Sequence, residues 1–185
     1  MKARPADEVY LDLVHRYQAP ILRYIHRLVG DPDTAEELTQ DTYMKAYSAL
    51  DRLELTADAE DRRRAWLYRI AHNTATDHLR RRARLRWLPL GRAAAVGASD
   101  PEATALAGQP VQSALRALRP EQREVIHLFL EAELTAPEVA EVLGLTAAAA
   151  RKRLQRARAA FEAAYVSEAP PEPPDPRRDT GGPST

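Results

Sequence analysis

Two stretches of this chain concentrate cationic side chains. Ten arginines lie between Arg62 and Arg92 against the single acid Asp77, and from Gly144 to Val166 five basic residues meet Glu162 alone. Groups of this kind neutralise phosphates, release counterions and make binding weaken as salt rises. In the second stretch, Arg151, Lys152, Arg153, Arg156 and Arg158 fall on the outer side of a predicted helix whose inner side is Ala150, Leu154, Ala157 and Phe161. Cations so placed reach both phosphates and base edges of a major groove. A plain hairpin with a solvated arginine face is the alternative. A third group has the opposite character: Glu37, Gln40, Asp41 and Met44 recur at helical spacing and share one polar face with a single apolar residue in it.

Catalysis is not expected from these residue types. The chain has no cysteine, which excludes disulfides, thiolate zinc sites, cysteine nucleophiles and thiol redox switches. His72, Asp77 and His78 lie on one predicted helix at spacings of five and six, which do not converge as an i, i+4 ligand pair does. They read as polar surface or DNA-proximal groups. No glycine-rich phosphate loop and no supported Ser-His-Asp order is present. No cofactor and no enzymatic activity are therefore expected.

The elements that must position these groups are helical. The chain has 185 residues, 44% of them apolar and 6% aromatic, with 27 basic and 27 acidic side chains. The formal balance of zero hides segregation: residues 1–50 carry six basic and eight acidic groups, and residues 111–143 three and six. Apolar runs such as Val125 to Leu130 and Ala147 to Ala150 fall far short of the roughly 20 residues a bilayer needs. No signal peptide is read at Met1 to Asp7, and the expectation is a soluble, cytoplasmic protein without membrane insertion.

In the first block Val9, Leu13 and Tyr17, then Ile21, Ile25, Leu28 and Val29, predict a helix that Pro20 kinks or restarts. Gly30-Asp31-Pro32 is a stop and turn, and Asp33 with Glu36 resembles a capping box opening a second helix, whose inward stripe is Leu38, Thr42, Ala46 and Leu50. Broken periodicity makes Asp51 to Arg64 a loop, with a further helix from near Ala65 to Arg80-Arg81-Arg82. Residues 84–109, rich in Ala, Gly, Pro and Ser around Trp87, Leu88 and Leu90, read as a flexible linker. In the second block Leu115, Leu118, Val125, Leu128 and Phe129 form the first apolar stripe. Thr135-Ala136-Pro137-Glu138 has capping-box spacing, Gly144 supplies a tight turn, Leu145 plugs the corner and Thr146 caps the following helix: a helix-turn-helix. Residues 167–185, with six of the 14 prolines, are expected to be disordered. The expected fold is all-α: two small helical domains, 5–83 and 110–166, joined by the linker 84–109, the second a helix-turn-helix domain.

From Val9 to Tyr165 the chain resembles the extracytoplasmic-function class of bacterial sigma factors, within the sigma-70 family. Asp33-Thr-Ala-Glu-Glu-Leu-Thr-Gln-Asp-Thr-Tyr43 with Lys45-Ala-Tyr-Ser-Ala-Leu50 is similar to the family's core-binding helix of region two. Trp66-Leu-Tyr-Arg-Ile-Ala-His-Asn-Thr-Ala75 with Asp77-His-Leu-Arg-Arg-Arg82 is similar to its promoter-melting helix. Leu118-Arg-Pro-Glu-Gln-Arg-Glu-Val125 and Leu134 through Arg158 are similar to region four. The resemblance implies a transcription initiation factor that binds core RNA polymerase and directs it to promoters.

It further implies that Glu37, Gln40, Asp41 and Met44 engage the clamp helices of the largest polymerase subunit, an acidic and amide face suiting a basic partner. It assigns Leu53, Trp66, Asn73, Arg80, Arg81, Arg82 and Arg84 to the minus-ten region, Asn73 beside a flipped base; for Trp66 simple core packing is the competing reading. Thr146, Arg151, Lys152, Arg153, Gln155 and Arg156 correspond to the minus-thirty-five face. The flap of the second-largest subunit and an anti-sigma protein are further implied partners, and the linker would thread polymerase channels. Two departures stand out: Leu53 replaces an aromatic found in many relatives, and Ala147 to Ala150 put four methyl groups where base-reading side chains normally begin. A helix-turn-helix regulator acting without polymerase is the competing functional class, though such a regulator has no use for the acidic face at 37–41.

Overall fold

A computed structural model describes residues 5–50, 60–86 and 109–168. Leu53, the linker residues Trp87, Leu88 and Leu90, and the chain beyond residue 168 lie outside them. Among the described residues there are seven helices and no strand: α1 (Pro5–Val29), α2 (Pro32–Ala49), α3 (Glu60–Arg86), α4 (Gln109–Ala117), α5 (Pro120–Leu130), α6 (Ala136–Leu143) and α7 (Ala147–Glu168).

Helix α1 runs without interruption through Pro20, which withholds one backbone N–H without ending the helix. It buries Leu13, Ile21, Tyr24, Ile25 and Val29, and Gly30, at φ 81°, closes it in the left-handed region that favours glycine. Helix α2 opens one turn's edge earlier than the Asp33–Glu36 spacing suggests. Pro32 takes the first helical position, where its missing N–H costs nothing, and the Asp31 carboxylate accepts from the Thr34 N–H at 2.9 Å. The same bond, with the Thr34 hydroxyl, holds the Asp31 carboxyl below its ordinary range. Leu38, Thr42, Ala46 and Leu50 are all buried, as their spacing predicts. The Thr39 and Thr42 hydroxyls, buried with them, donate to the carbonyls of Ala35 and Leu38 at 2.7 Å each.

Helix α3 begins at Glu60, so the last residues of the expected loop are its first turn. Asp61 and Arg64 pair across that turn at 3.1 Å, a helical i, i+3 contact that the absence of apolar residues hides from a periodicity search. The helix also continues past Arg82 to Arg86, into the start of the expected linker.

The helix-turn-helix forms as its caps predict. Glu138 accepts from the Thr135 N–H at 2.7 Å, Gly144 adopts φ 64°, ψ 38°, and Thr146 Oγ1 accepts from the Ala149 N–H at 3.2 Å to start α7. Ala150 and Ala157 of α7 are fully buried, with Leu154 and Phe161 half-buried beside them.

The two helical groups share a single core. Leu128, Leu134, Val139, Ala140, Val142 and Ala150 join Ile21, Tyr24, Ala65, Tyr68 and Ala71 in one continuous buried cluster. The seam lies where α3 packs on α6 and α1 meets α5. Nothing in the helical periodicity announced this docking, because each group closes a stripe of its own.

Candidate nucleic-acid interface

Three surfaces remain open around that core. On α2, Glu37, Gln40, Asp41 and Met44 are all exposed, since the opposite stripe of Leu38, Thr42 and Ala46 turns inward. Met44 is 68% exposed and Tyr47, one turn's edge further, 48%, so the acidic face carries an apolar end. Tyr47 is held there by its ring, edge-on to that of Tyr10 with centroids 4.9 Å apart.

On α3, Asn73, Asp77, Arg80, Arg81 and Arg84 are exposed, and their spacing places them along one side of the helix; Arg82 is half-buried. Arg80 is tied only loosely to Asp77, at 3.4 Å between two exposed side chains, and Arg84 Nε donates to the Arg80 carbonyl at 3.4 Å. Trp66 sits elsewhere: it is half-buried against Ala6, Leu13 and Leu50 at the outer end of the first helical group, and so packs as core. On α7, Arg151, Lys152, Gln155, Arg156 and Arg158 are exposed and Arg153 is half-buried, with Thr146, Ala148 and Ala149 exposed at the helix start. These are solvent-facing cations on a capped second helix, the arrangement that lays a helix along a phosphate-lined groove.

His72 does not belong to the surface where its helical position suggested it would be. Its side chain is 17% exposed, and Nδ1 lies 2.9 Å from Glu124 Oε1, a carboxylate of the second helical group that is itself 12% exposed. The Tyr24 hydroxyl donates to the same oxygen at 2.8 Å and stands 3.0 Å from His72 Nδ1. Burial, then the Glu124 carboxylate, push the Tyr24 phenol well above its ordinary value.

Beside this trio, His127 is buried and its ring stacks on Tyr24 with centroids 5.3 Å apart. Arg27 Nη1 contacts His127 Nδ1 and donates to Glu131 Oε1 at 2.7 Å. Burial lowers the His127 pKa from its ordinary value, and Arg27 adds to that; the hydrogen bond to Glu131 works the other way. The same Nδ1 lies 3.1 Å from Glu131 Oε2, so the tautomer sets whether it accepts from Arg27 or donates to Glu131, and the buried Nε2 finds no partner among the described residues. Burial would raise Glu131, yet bonding to His127 and Arg27 outweighs it and holds the carboxyl at about 2. Further along the seam Arg64 Nη2 donates to the Glu133 carbonyl at 3.0 Å, and Arg69 pairs with Glu141. No sequence signal flagged these residues except one: His127 interrupts the apolar run 125–130 on the face that must be buried.

The architecture is that of a helix-turn-helix domain docked on a second helical domain that carries its own basic helix. Known proteins share it. The profile of Sigma-70 region 2 matches residues 13–85, and that of Sigma-70, region 4 matches residues 108–161. The chain is 29% identical over 164 residues to the RNA polymerase sigma factor YlaC of Bacillus subtilis, covering 85% of this chain and 91% of that one. It spans a smaller share of others, 58% of the ECF RNA polymerase sigma factor SigE of Mycolicibacterium smegmatis. Among solved structures, CnrH, in complex with the cytosolic domain of CnrY, is 31% identical with TM-score 0.57, covering 88% of this chain and 91% of that one. The sigma factor RpoE, in complex with the anti-sigma factor NepR from Bartonella quintana, shares the fold at 24% identity and TM-score 0.65, over 88% of this chain and 99% of that one. The chain belongs to the sigma-70 family, in its extracytoplasmic-function class. None of its described helices is long and apolar enough to cross a membrane.

Proposed function

We propose that this sigma factor binds core RNA polymerase through the α2 face of Glu37, Gln40, Asp41 and Met44 and directs it to promoters through two cationic surfaces. Asn73, Arg80, Arg81, Arg82 and Arg84 of α3 take the minus-ten region, with Leu53 in the preceding segment and Trp66 as the packed base of the same helix. Thr146, Arg151, Lys152, Arg153, Gln155 and Arg156 take the minus-thirty-five region. The working units are residues 5–83 and 110–166, with 84–109 as the connection and 167–185 as a tail. The chain supplies no catalytic group; phosphodiester synthesis belongs to the polymerase.

The observation that carries this reading is the coexistence of an exposed acidic face on one helix with exposed basic faces on two others. A protein that only bound DNA would gain nothing from presenting carboxylates at Glu37 and Asp41, which repel phosphates. The solved relatives seen with CnrY and with the anti-sigma factor NepR support an inhibitor protein as a further partner here.

Run-off transcription with core polymerase on a genomic promoter library tests the reading. Discrete transcripts that require the chain are expected. Tight retention of a promoter fragment by the chain alone at physiological salt, with no effect on the polymerase, would replace this reading with that of a free-standing regulator.

A further inference from the structure

The outer face of α7 is basic at its edges and different along its centre. Ala150 and Ala157 are fully buried, with Ala147, Leu154 and Phe161 half-buried on the same side of the helix. Opposite that stripe, Ala148, Lys152 and Gln155 are all exposed, and at about 100° per residue they fall within about 60° of one another. Arg151 and Arg158 lie to one side of this line and Arg156 to the other, all three exposed. When such a helix is seated in a major groove, cations at its edges meet the phosphates of the flanking strands, and side chains on the centre line meet base edges.

The first residue on that line is an alanine in the opening turn, where a recognition helix contacts bases. Its backbone is pinned. Thr146 Oγ1 caps the turn by accepting from the Ala149 N–H at 3.2 Å, and Ala150 anchors it in the core. With only methyl groups at Ala148 and Ala149, the helix start can come within van der Waals distance of the base edges, about 4 Å. A methyl group neither donates nor accepts, so it reads no hydrogen-bond pattern. The feature of the major groove that complements it is the 5-methyl group of thymine.

We propose that Ala148 is a specificity-determining residue that reads a thymine methyl group at one end of the minus-thirty-five element. Lys152 and Gln155, further along the same line, supply the hydrogen-bonded contacts: the ammonium to O6 and N7 of a guanine, the amide to N6 and N7 of an adenine. At about 1.5 Å per residue Lys152 lies about 6 Å beyond Ala148 and Gln155 about 10.5 Å. Against about 3.4 Å per base pair, the three contacts span about four base pairs. The inference rests on the minus-thirty-five assignment of α7 made above and deepens it. It gives the alanine run at the helix start a reading of its own.

The test begins with the full chain assembled on core polymerase, selecting from promoter fragments randomised across the minus-thirty-five region. An enriched element with an A·T pair at one end is expected. Deoxyuridine then replaces each thymidine of that element in turn, on either strand, which removes the methyl group and leaves every hydrogen bond in place. One replacement is expected to weaken binding about fourfold, the worth of one buried methyl group. In Ala148→Gly the ratio of affinities for the thymine and uracil duplexes should fall to about one. Because that ratio is taken within one variant, the helix stability lost to glycine cancels from it. Ala148→Gln should move the preference at the same base pair toward adenine, and Gln155→Ala should relax the adenine position while keeping the thymine-to-uracil ratio.

Equal affinity of the parent for thymine and uracil duplexes at every position, or an unchanged ratio in Ala148→Gly, overturns the proposal. Failure of the chain to associate with core polymerase would instead remove the sigma-factor reading. The same selection and thymine-to-uracil comparison, made with the chain alone, then decides the role of Ala148.

Discussion

His127 shows how one side chain carries an acid sensitivity into the seam. It faces Arg23, Arg27 and Tyr24 of α1, Tyr68 of α3 and Glu131 at the end of its own helix. Its pKa is depressed in the folded chain, so the folded state prefers the neutral ring. That contribution is intact above the ordinary imidazole value of 6.5 and is lost progressively as pH falls below it. Glu131, held at about 2 against an ordinary 4.5, adds stability that persists above 4.5 and disappears as pH falls from there toward 2. Thermal unfolding followed across pH should therefore show two successive losses on the acid side. His127→Phe should remove the first and shrink the second, since the bond to His127 is the larger cause of the low Glu131 carboxyl and only the Arg27 pair remains. A melting temperature that does not change between pH 7 and 5 in the parent chain would contradict this account of His127.

Among the elements, the turn between α6 and α7 is a clean case for a backbone prediction. Gly144 sits at φ 64°, and a methyl group there would meet no atom within 4 Å. Gly144→Ala should therefore cost only the left-handed penalty, about 1 kcal/mol, read as a lower urea midpoint at constant slope. Helix α7 carries a DNA prediction: Arg151→Ala with Arg156→Ala should weaken binding to a promoter duplex and reduce the slope of log K against log salt by about two. An unchanged slope would mean that these guanidinium groups stay in solvent.

These elements were also where the sequence was most informative. Thr135, Glu138, Gly144 and Thr146 are local devices, each satisfying backbone groups a few residues away, so their types and spacing suffice to place α6 and α7. The inward stripe of α2 was legible for the same reason. Its start was less so, because Asp31 and Asp33 compete for one cap and only the position of Pro32 favours the first. The start of α3 was invisible to hydrophobic periodicity, since Glu60 to Arg64 contains no apolar residue. The Tyr24–His72–Glu124 trio and the Arg27–His127–Glu131 cluster joins residues 48 to 104 positions apart, and no spacing rule reaches across such distances. Helical surface arguments placed His72 in solvent; the docking of the second domain buries it.

For the molecule as a whole, segregation of charge organises both what it holds together and what it offers outward. Acidic groups of the second domain pair with part of the first domain's basic helix across the seam, leaving Asn73, Arg80, Arg81 and Arg84 and the cations of α7 exposed. The carboxylates of Glu37 and Asp41 on α2 are exposed, on a helix that packs against α1 and α3. The central claim is that they bind core RNA polymerase. Its most direct test is the equilibrium affinity of fluorescently labelled full-length chain for purified core enzyme, compared with the same chain carrying Glu37→Lys and Asp41→Lys. The account predicts tight binding by the parent and a loss of about 100-fold or more on charge reversal, since like charges juxtaposed across an interface cost several kcal/mol. Equal affinity of the two chains for core enzyme would contradict it.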